Sequence, residues 1–258
     1  MTPMKRNLAN FDLTNAMESL YTTGQYFVRV RPETSQGLTT DYWGESTDPD
    51  GIQRNRLNEK NQYLENLKTE LHFISCLKPG RLLDIGCGPG WLLSCVDNHW
   101  SKYGVEPSAQ ASTEASPHGI IYKGVFETVD YDDSFFDLVI AYHVIEHMKD
   151  PVTTLRKIRD LLRPGGTIIV GTPDFDSGCA RRFGNNYRLL NDPTHISLFS
   201  NDSMHRCLRD CGFQILKVDY PFFSTKWFNR TNLLRCFNTN RISPPAYGNF
   251  MTFYCRKP

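Results

Sequence analysis

The stretch Leu82-Leu83-Asp84-Ile85-Gly86-Cys87-Gly88-Pro89-Gly90 restricts this chain more than any other. A short apolar run ends in an acid, and three glycines follow at alternate positions. The run predicts a buried strand, and glycines just past a strand end let backbone approach a ligand where a Cβ would collide. Leu92 and Leu93 resume an apolar pattern. The loop is therefore expected to open a helix whose N–H groups favour an anionic group.

At 258 residues the chain suits one α/β domain with attachments. No uninterrupted apolar run approaches the roughly 20 residues that span a bilayer. Residues 1–10 lack the apolar core of a signal peptide, so a cytoplasmic product is expected. The eight cysteines form no C-x-x-C pair, which leaves them as reduced, mostly buried small hydrophobes. Charge is uneven. From Asp84 to Asp150 eleven acids face three lysines, a balance of −8, whereas from Pro221 onward six basic residues face no acid. The acidic centre suits a cationic ligand and the tail an anionic surface or partner.

Residues 1–53 read as an irregular extension that packs on the core or over its mouth. Asp41-Tyr42-Trp43-Gly44-Glu45 is its most distinctive portion, either an aromatic anchor or a lid. From Arg54 to Cys76 apolar residues recur at helical spacing, and Lys78-Pro79-Gly80 stops that helix. Strands are expected at Lys102–Val105, Ile120–Lys123 and Phe135–Ala141, the last apolar on both faces like an interior parallel strand. Pro151 begins a helix that Arg163-Pro164-Gly165-Gly166 breaks, and Thr167–Gly171 forms the next strand. This alternation predicts a parallel, doubly wound sheet with helices on both faces. Residues 174–199 read as a long loop or insert. A helix from Asn201 to Cys211 and closing strands at Phe213–Tyr220 and Gly248–Cys255 follow. The core thus spans 54–220, and 221–258 adds a basic aromatic segment, Phe222 to Phe228, and a closing strand.

Two ligand classes use a strand, a glycine loop and an acid at the next strand end. A dinucleotide site wants a third small residue where Trp91 stands, which argues against an NAD-dependent oxidoreductase. No Gly-Lys-Ser/Thr follows the loop, so a P-loop is excluded. The D-I-G-C-G-P-G loop, Glu106 ending strand two, F-D-L-V-I-A-Y-H-V-I-E-H with Asp150-Pro151, and L-L-R-P-G-G stand in order. Over about residues 70–220 the chain resembles a class I S-adenosylmethionine-dependent methyltransferase, of the small-molecule group that includes the ubiquinone-pathway O-methyltransferases.

That resemblance implies a Rossmann-like, seven-stranded, mostly parallel sheet with an antiparallel last strand. It also implies S-adenosyl-L-methionine as cofactor, with S-adenosyl-L-homocysteine as product. Asp84, Gly86, Cys87, Gly88, Gly90 and Trp91 would surround the methionine part. Glu106 and Pro107 would meet the ribose, with the carboxylate accepting from both hydroxyls, and Phe126 and Glu127 would hold adenine. Tyr142 and His143 would line the cavity beside the methyl.

Methyl transfer is an in-line displacement in which the protein aligns the reactants and removes a proton from the acceptor. His195, in Asn191-Asp192-Pro193-Thr194-His195, is the first candidate base, then His143; His147 is either a base or part of a structural E-H element. Glu146, His147 and His195 form the alternative, a divalent-metal site like that of related methyltransferases with an E-x-x-E-H motif. His143 replaces the first acid of that motif, so no metal is expected. Arg181, Arg182 and Arg188 stand in the insert with no acid between Asp176 and Asp192, either as a solvated basic loop or as a roof over the acceptor. In the second case Arg181 and Arg182, with Tyr42 from the extension, would bind a small acceptor, with sugar or nucleotide-linked sugar as an anionic example. Nucleic acid is not expected as a partner, because net charge is +1 and no RNA-binding module is appended. A membrane contact with a quinone-like or lipid-linked acceptor is the weaker reading of the basic aromatic tail. The chain is expected as a monomer or homodimer.

Overall fold

The computed structural model describes residues 13–22, 25–30, 43–49, 51, 53–220, 229–245 and 249–258. Its strands are β1 (Val28–Arg29), β2 (Glu45–Thr47), β3 (Gln53–Asn55), β4 (Arg81–Ile85), β5 (Ser101–Glu106), β6 (Ile120–Lys123), β7 (Phe136–Tyr142), β8 (Leu162–Pro173), β9 (Ser197–Leu198), β10 (Gln214–Asp219) and β11 (Phe250–Arg256). Its helices are α1 (Leu13–Thr22), α2 (Lys60–Asn66), α3 (Lys68–Ser75), α4 (Trp91–Cys95), α5 (Ala109–Ala115), α6 (Pro151–Leu161), α7 (Gly178–Phe183), α8 (Asn201–Asp210) and α9 (Arg230–Arg235).

Seven strands form one sheet in the order β10-β11-β8-β7-β4-β5-β6. β4, β5, β6, β7 and β8 pair in parallel, and β11 runs antiparallel between β8 and β10. β4 and β7 are buried nearly throughout, because alternate side chains enter cores on both faces. One core joins Leu83, Ile85, Val139 and Phe199; the other joins Leu82, Leu138, Ile140 and Trp100. α6 begins at Pro151 with the Asp150 carboxylate accepting from Thr153 N, and ends before Arg163-Pro164.

Three departures from the sequence reading have physical causes. The single helix expected from Arg54 to Cys76 is divided: a 3₁₀ turn at Arg56–Glu59 precedes α2, and Leu67, fully buried, leaves helical geometry between α2 and α3. The extension is less irregular than expected, for α1 places Leu13 and Met17, one turn apart, in a third core with Phe175, Phe183 and Tyr187. That same core organises the 174–199 insert, which carries α7 and pairs β9 with β1. Tyr26 reinforces the docking by donating to Asp210 across 2.6 Å.

Candidate active site

The glycine loop leaves β4 at its C-terminal end and turns at once under the end of β5. Gly86 N and Cys87 N both donate to Val105 O, at 2.8 and 3.1 Å. Gly90 holds a left-handed φ of 76° at the start of α4. A Cβ there would come within 2.9 Å of Ala115 Cα, so glycine alone fits the packing of loop on α5. Gly88, at φ 53°, is approached from outside the sheet: its Cβ would lie 2.2 Å from Trp43 Cζ2. Trp91 is nearly buried between Trp43 and Tyr63, with ring centroids 5.7 and 5.5 Å away.

Two acids sit behind this loop. Glu106 ends β5, is 4% exposed, and accepts from Gly88 N at 3.0 Å, Ser108 N at 2.8 Å and the Trp43 side chain. Burial raises its pKa, and those donors oppose the rise. Asp84 lies in the same interior, and burial, reinforced by the Glu106 charge, pushes its pKa up to about 8. Cys87 is also buried, its Sγ against Gly104, and burial raises its thiol pKa. Pro107 is half-buried after β5. Phe126 is buried in the core beneath the Lys157 ammonium, and Glu127 is exposed; neither lines the cleft described next.

A cleft of about 1490 Å³ crosses the C-terminal edge of the parallel strands, from Trp43 and Trp91 at one end to Asn249, Phe250 and Thr252 at the other. Tyr142, His143, Glu146, His147 and His195 line its middle. Tyr142 ends β7 with its ring against Gly171, and burial raises its phenol pKa. His143 has a φ of 57°, uncommon for a side chain with a Cβ, and its N donates to Gly171 O at 2.8 Å. Its Nδ1 lies 3.3 Å from Glu146 Oε1. Glu146 is fully buried and its other oxygen accepts from Thr172 Oγ1 at 3.0 Å. Burial alone would raise Glu146, but the His143 hydrogen bond and the neighbouring imidazoles hold it at about 2. Glu146 is thus ionised.

His147 Nδ1 lies 2.9 Å from Thr194 O, and His195 Nδ1 lies 2.7 Å from Leu189 O. A carbonyl can only accept, so both Nδ1 atoms carry a proton. The two rings are 5.0 Å apart. Burial lowers the His195 pKa, against the opposing pull of Asp192. One ligand atom each from Glu146, His147 and His195 falls within 4.8 Å of the others. An ionised carboxylate with two imidazoles oriented by backbone carbonyls is a fitting donor set for a divalent cation. The same atoms, without an ion, make a base site.

The expected acceptor residues lie elsewhere. Arg181 donates twice to the Asp176 carboxylate, at 2.7 Å each, and Arg182 donates to Cys236 O at 2.8 Å. Neither lines the cleft. The arginine this insert does present there is Arg188, which pairs with Asp48 beside β2. Tyr42 and the 221–228 segment fall outside the described residues. Sequence reasoning passed over Thr172 and the Thr194 carbonyl, because nothing local marks hydrogen bonds that span 26 and 47 residues, and over the Leu189 carbonyl, whose turn back onto His195 six residues later no motif marks. It also passed over the Trp43 bond to Glu106, although Trp43 stood out in the extension.

A glycine loop at the end of β4, a buried acid at the end of β5 and an antiparallel strand beside β8 define the Rossmann-like class I methyltransferase fold. The chain matches the methyltransferase-domain family model over residues 57–218 and belongs to that family. It is 36% identical over 107 residues to a ubiquinone biosynthesis O-methyltransferase of Rhodopseudomonas palustris, covering 38% of this chain and 42% of that one. It is 33% identical over 111 residues to an uncharacterized 37.1 kDa transposon protein of Streptomyces fradiae, covering 39% of this chain and 32% of that one. The chain therefore spans about two fifths or less of the length of these relatives. Among solved structures, a Thermotoga maritima S-adenosylmethionine-dependent methyltransferase, described as a possible histamine N-methyltransferase, superposes with a TM-score of 0.56 at 24% identity. That superposition covers 78% of this chain and 96% of that one and bears on the fold alone.

Proposed function

We propose that the chain transfers the methyl of S-adenosylmethionine to a hydroxyl of a small acceptor held in the cleft. The observation that carries this is the pair His147 and His195, each with Nδ1 held by a backbone carbonyl and both lining the cleft together with Tyr142 at the end of β7. When bound, the cofactor supplies a methyl on a positively charged sulfur, which needs alignment more than activation. Asp84 and the glycine loop would hold its amino-acid end, and Glu106 would accept from its ribose hydroxyls. His195, whose pKa burial lowers, would take the hydroxyl proton of the acceptor, and Glu146 would balance the charge that forms on the imidazole cluster. If a divalent cation occupies Glu146, His147 and His195, it would instead bind the acceptor oxygen and favour its ionised form.

Relatives named as O-methyltransferases of ubiquinone biosynthesis favour a hydroxylated, quinone-like acceptor. The test is radiolabelled methyl transfer from S-adenosylmethionine to catechols, catechol carboxylates and phosphorylated sugars, with the His147→Ala, His195→Ala double variant alongside. Failure with every acceptor, or full activity in that variant, sinks the proposal. A lipid-linked acceptor is a second reading. Leu234 and Phe237, 60% and 75% exposed, stand in and beside α9, whose Arg230 and Arg235 line the cleft. Absence of sedimentation with anionic liposomes would remove it.

A further inference from the structure

We propose that Trp43 is a self-inhibitory plug: in the unliganded chain it fills the ribose position on Gly88 and Glu106, and the cofactor binds only by expelling it. This rests on the reading of Glu106 as the ribose acid. The contact at Gly88 is the first support, since the indole lies against the face from which a ligand would approach that glycine. The second is a count of acceptor sites. A carboxylate offers about four lone-pair positions, and Glu106 already receives Gly88 N, Ser108 N and the Trp43 side chain. A ribose diol brings two further donors. Both are accommodated only when the Trp43 bond is released. The third is burial: Glu106 and Asp84 are each 4% exposed, and Trp43 and Trp91 line the cleft whereas the two acids do not.

Trp43 has a mechanical base to return to. It precedes the β2–β3 hairpin, and Leu57 N donates to its carbonyl at 3.2 Å. Arg54 of that hairpin pairs with Asp48 and Glu59, and Asp48 also pairs with Arg188 of the acceptor-side insert. These ion pairs keep the hairpin tethered beside the site, and releasing the indole removes one of the contacts that hold residues 43–57 in place. Water is kept out of the cofactor site until the ligand arrives.

The probe is S-adenosylhomocysteine, titrated calorimetrically into the full chain and its Trp43→Ala and Trp43→Phe variants. Removing the plug should tighten binding at least fivefold in Trp43→Ala and raise the association rate. Trp43→Phe, which keeps a ring but loses the N–H, should fall between. Hydrogen exchange at residues 43–57 of the unmutated chain should quicken on ligand binding. Equal or weaker binding by Trp43→Ala, or slowed exchange at 43–57, overturns the plug while leaving the cofactor assignment intact. No binding by any of the three proteins overturns both.

Discussion

Replacing Asp84 by Asn separates folding from ligand binding at one atom pair. The folded pKa of Asp84 is about 8, against an ordinary value of 3.8. Between those values the folded chain keeps the proton and the unfolded chain does not. Stability from this group is therefore complete below about pH 4 and is lost as pH rises towards 8. At about 1.4 kcal/mol per pH unit, the loss across roughly four units is about 6 kcal/mol. Asn has nearly the same size and does not titrate. Urea unfolding of both proteins at several pH values should show Asp84→Asn gaining on the parent as pH rises, with m unchanged and the midpoint shifting. The same variant should bind S-adenosylhomocysteine at least tenfold more weakly, since its ammonium loses a carboxylate. Parallel stability curves from pH 4 to 8 would refute the burial argument.

Glu106→Gln should weaken S-adenosylhomocysteine binding by about 1.5–3 kcal/mol, the cost of losing charge-assisted hydrogen bonds, in isothermal titration. His195→Ala should lower methyl transfer about 10²- to 10⁴-fold while leaving S-adenosylhomocysteine affinity unchanged, which single-turnover and binding assays together would show. Manganese or zinc should raise the melting temperature of the parent chain and leave that of Glu146→Gln unaltered; an equal rise in both would place the ion elsewhere.

The glycine loop was legible because its meaning is local: three left-handed glycines, an acid before them and an apolar strand. β6 was legible for the same reason, matching the expected Ile120–Lys123. Helix boundaries fared worse where tertiary packing decides them. Leu67 interrupts the periodic run because burying it fully is worth more than continuing one helix axis. The acceptor side was least legible. Arg181 and Arg182 form an open basic run in sequence, yet Asp176, five residues before Arg181, neutralises one and a backbone carbonyl takes the other. His147 and His195 were each visible as candidates, but their 48-residue separation hid that they meet and that a backbone carbonyl orients each ring.

Asp84 and Glu146 pull the pH dependence in opposite directions, and the cofactor should reconcile them. Glu146 has its folded pKa lowered from 4.5 to about 2, so its contribution is present above about pH 4.5 and lost as pH falls through 2. Asp84 begins to cost stability as soon as pH passes 3.8. Without ligand the two favour the folded chain together only near pH 4, well below neutrality. The ligand's ammonium beside Asp84 would favour its ionised form and cancel that cost, moving the optimum upward. Near pH 7, ligand binding should then release a proton approaching one per site. Calorimetric heats for S-adenosylhomocysteine in buffers of different ionisation enthalpy measure this directly. The parent should show a buffer-dependent heat of that size, and Asp84→Asn should show none. Identical heats in all buffers for the parent would mean that Asp84 does not change its protonation on binding, and the coupling would fall.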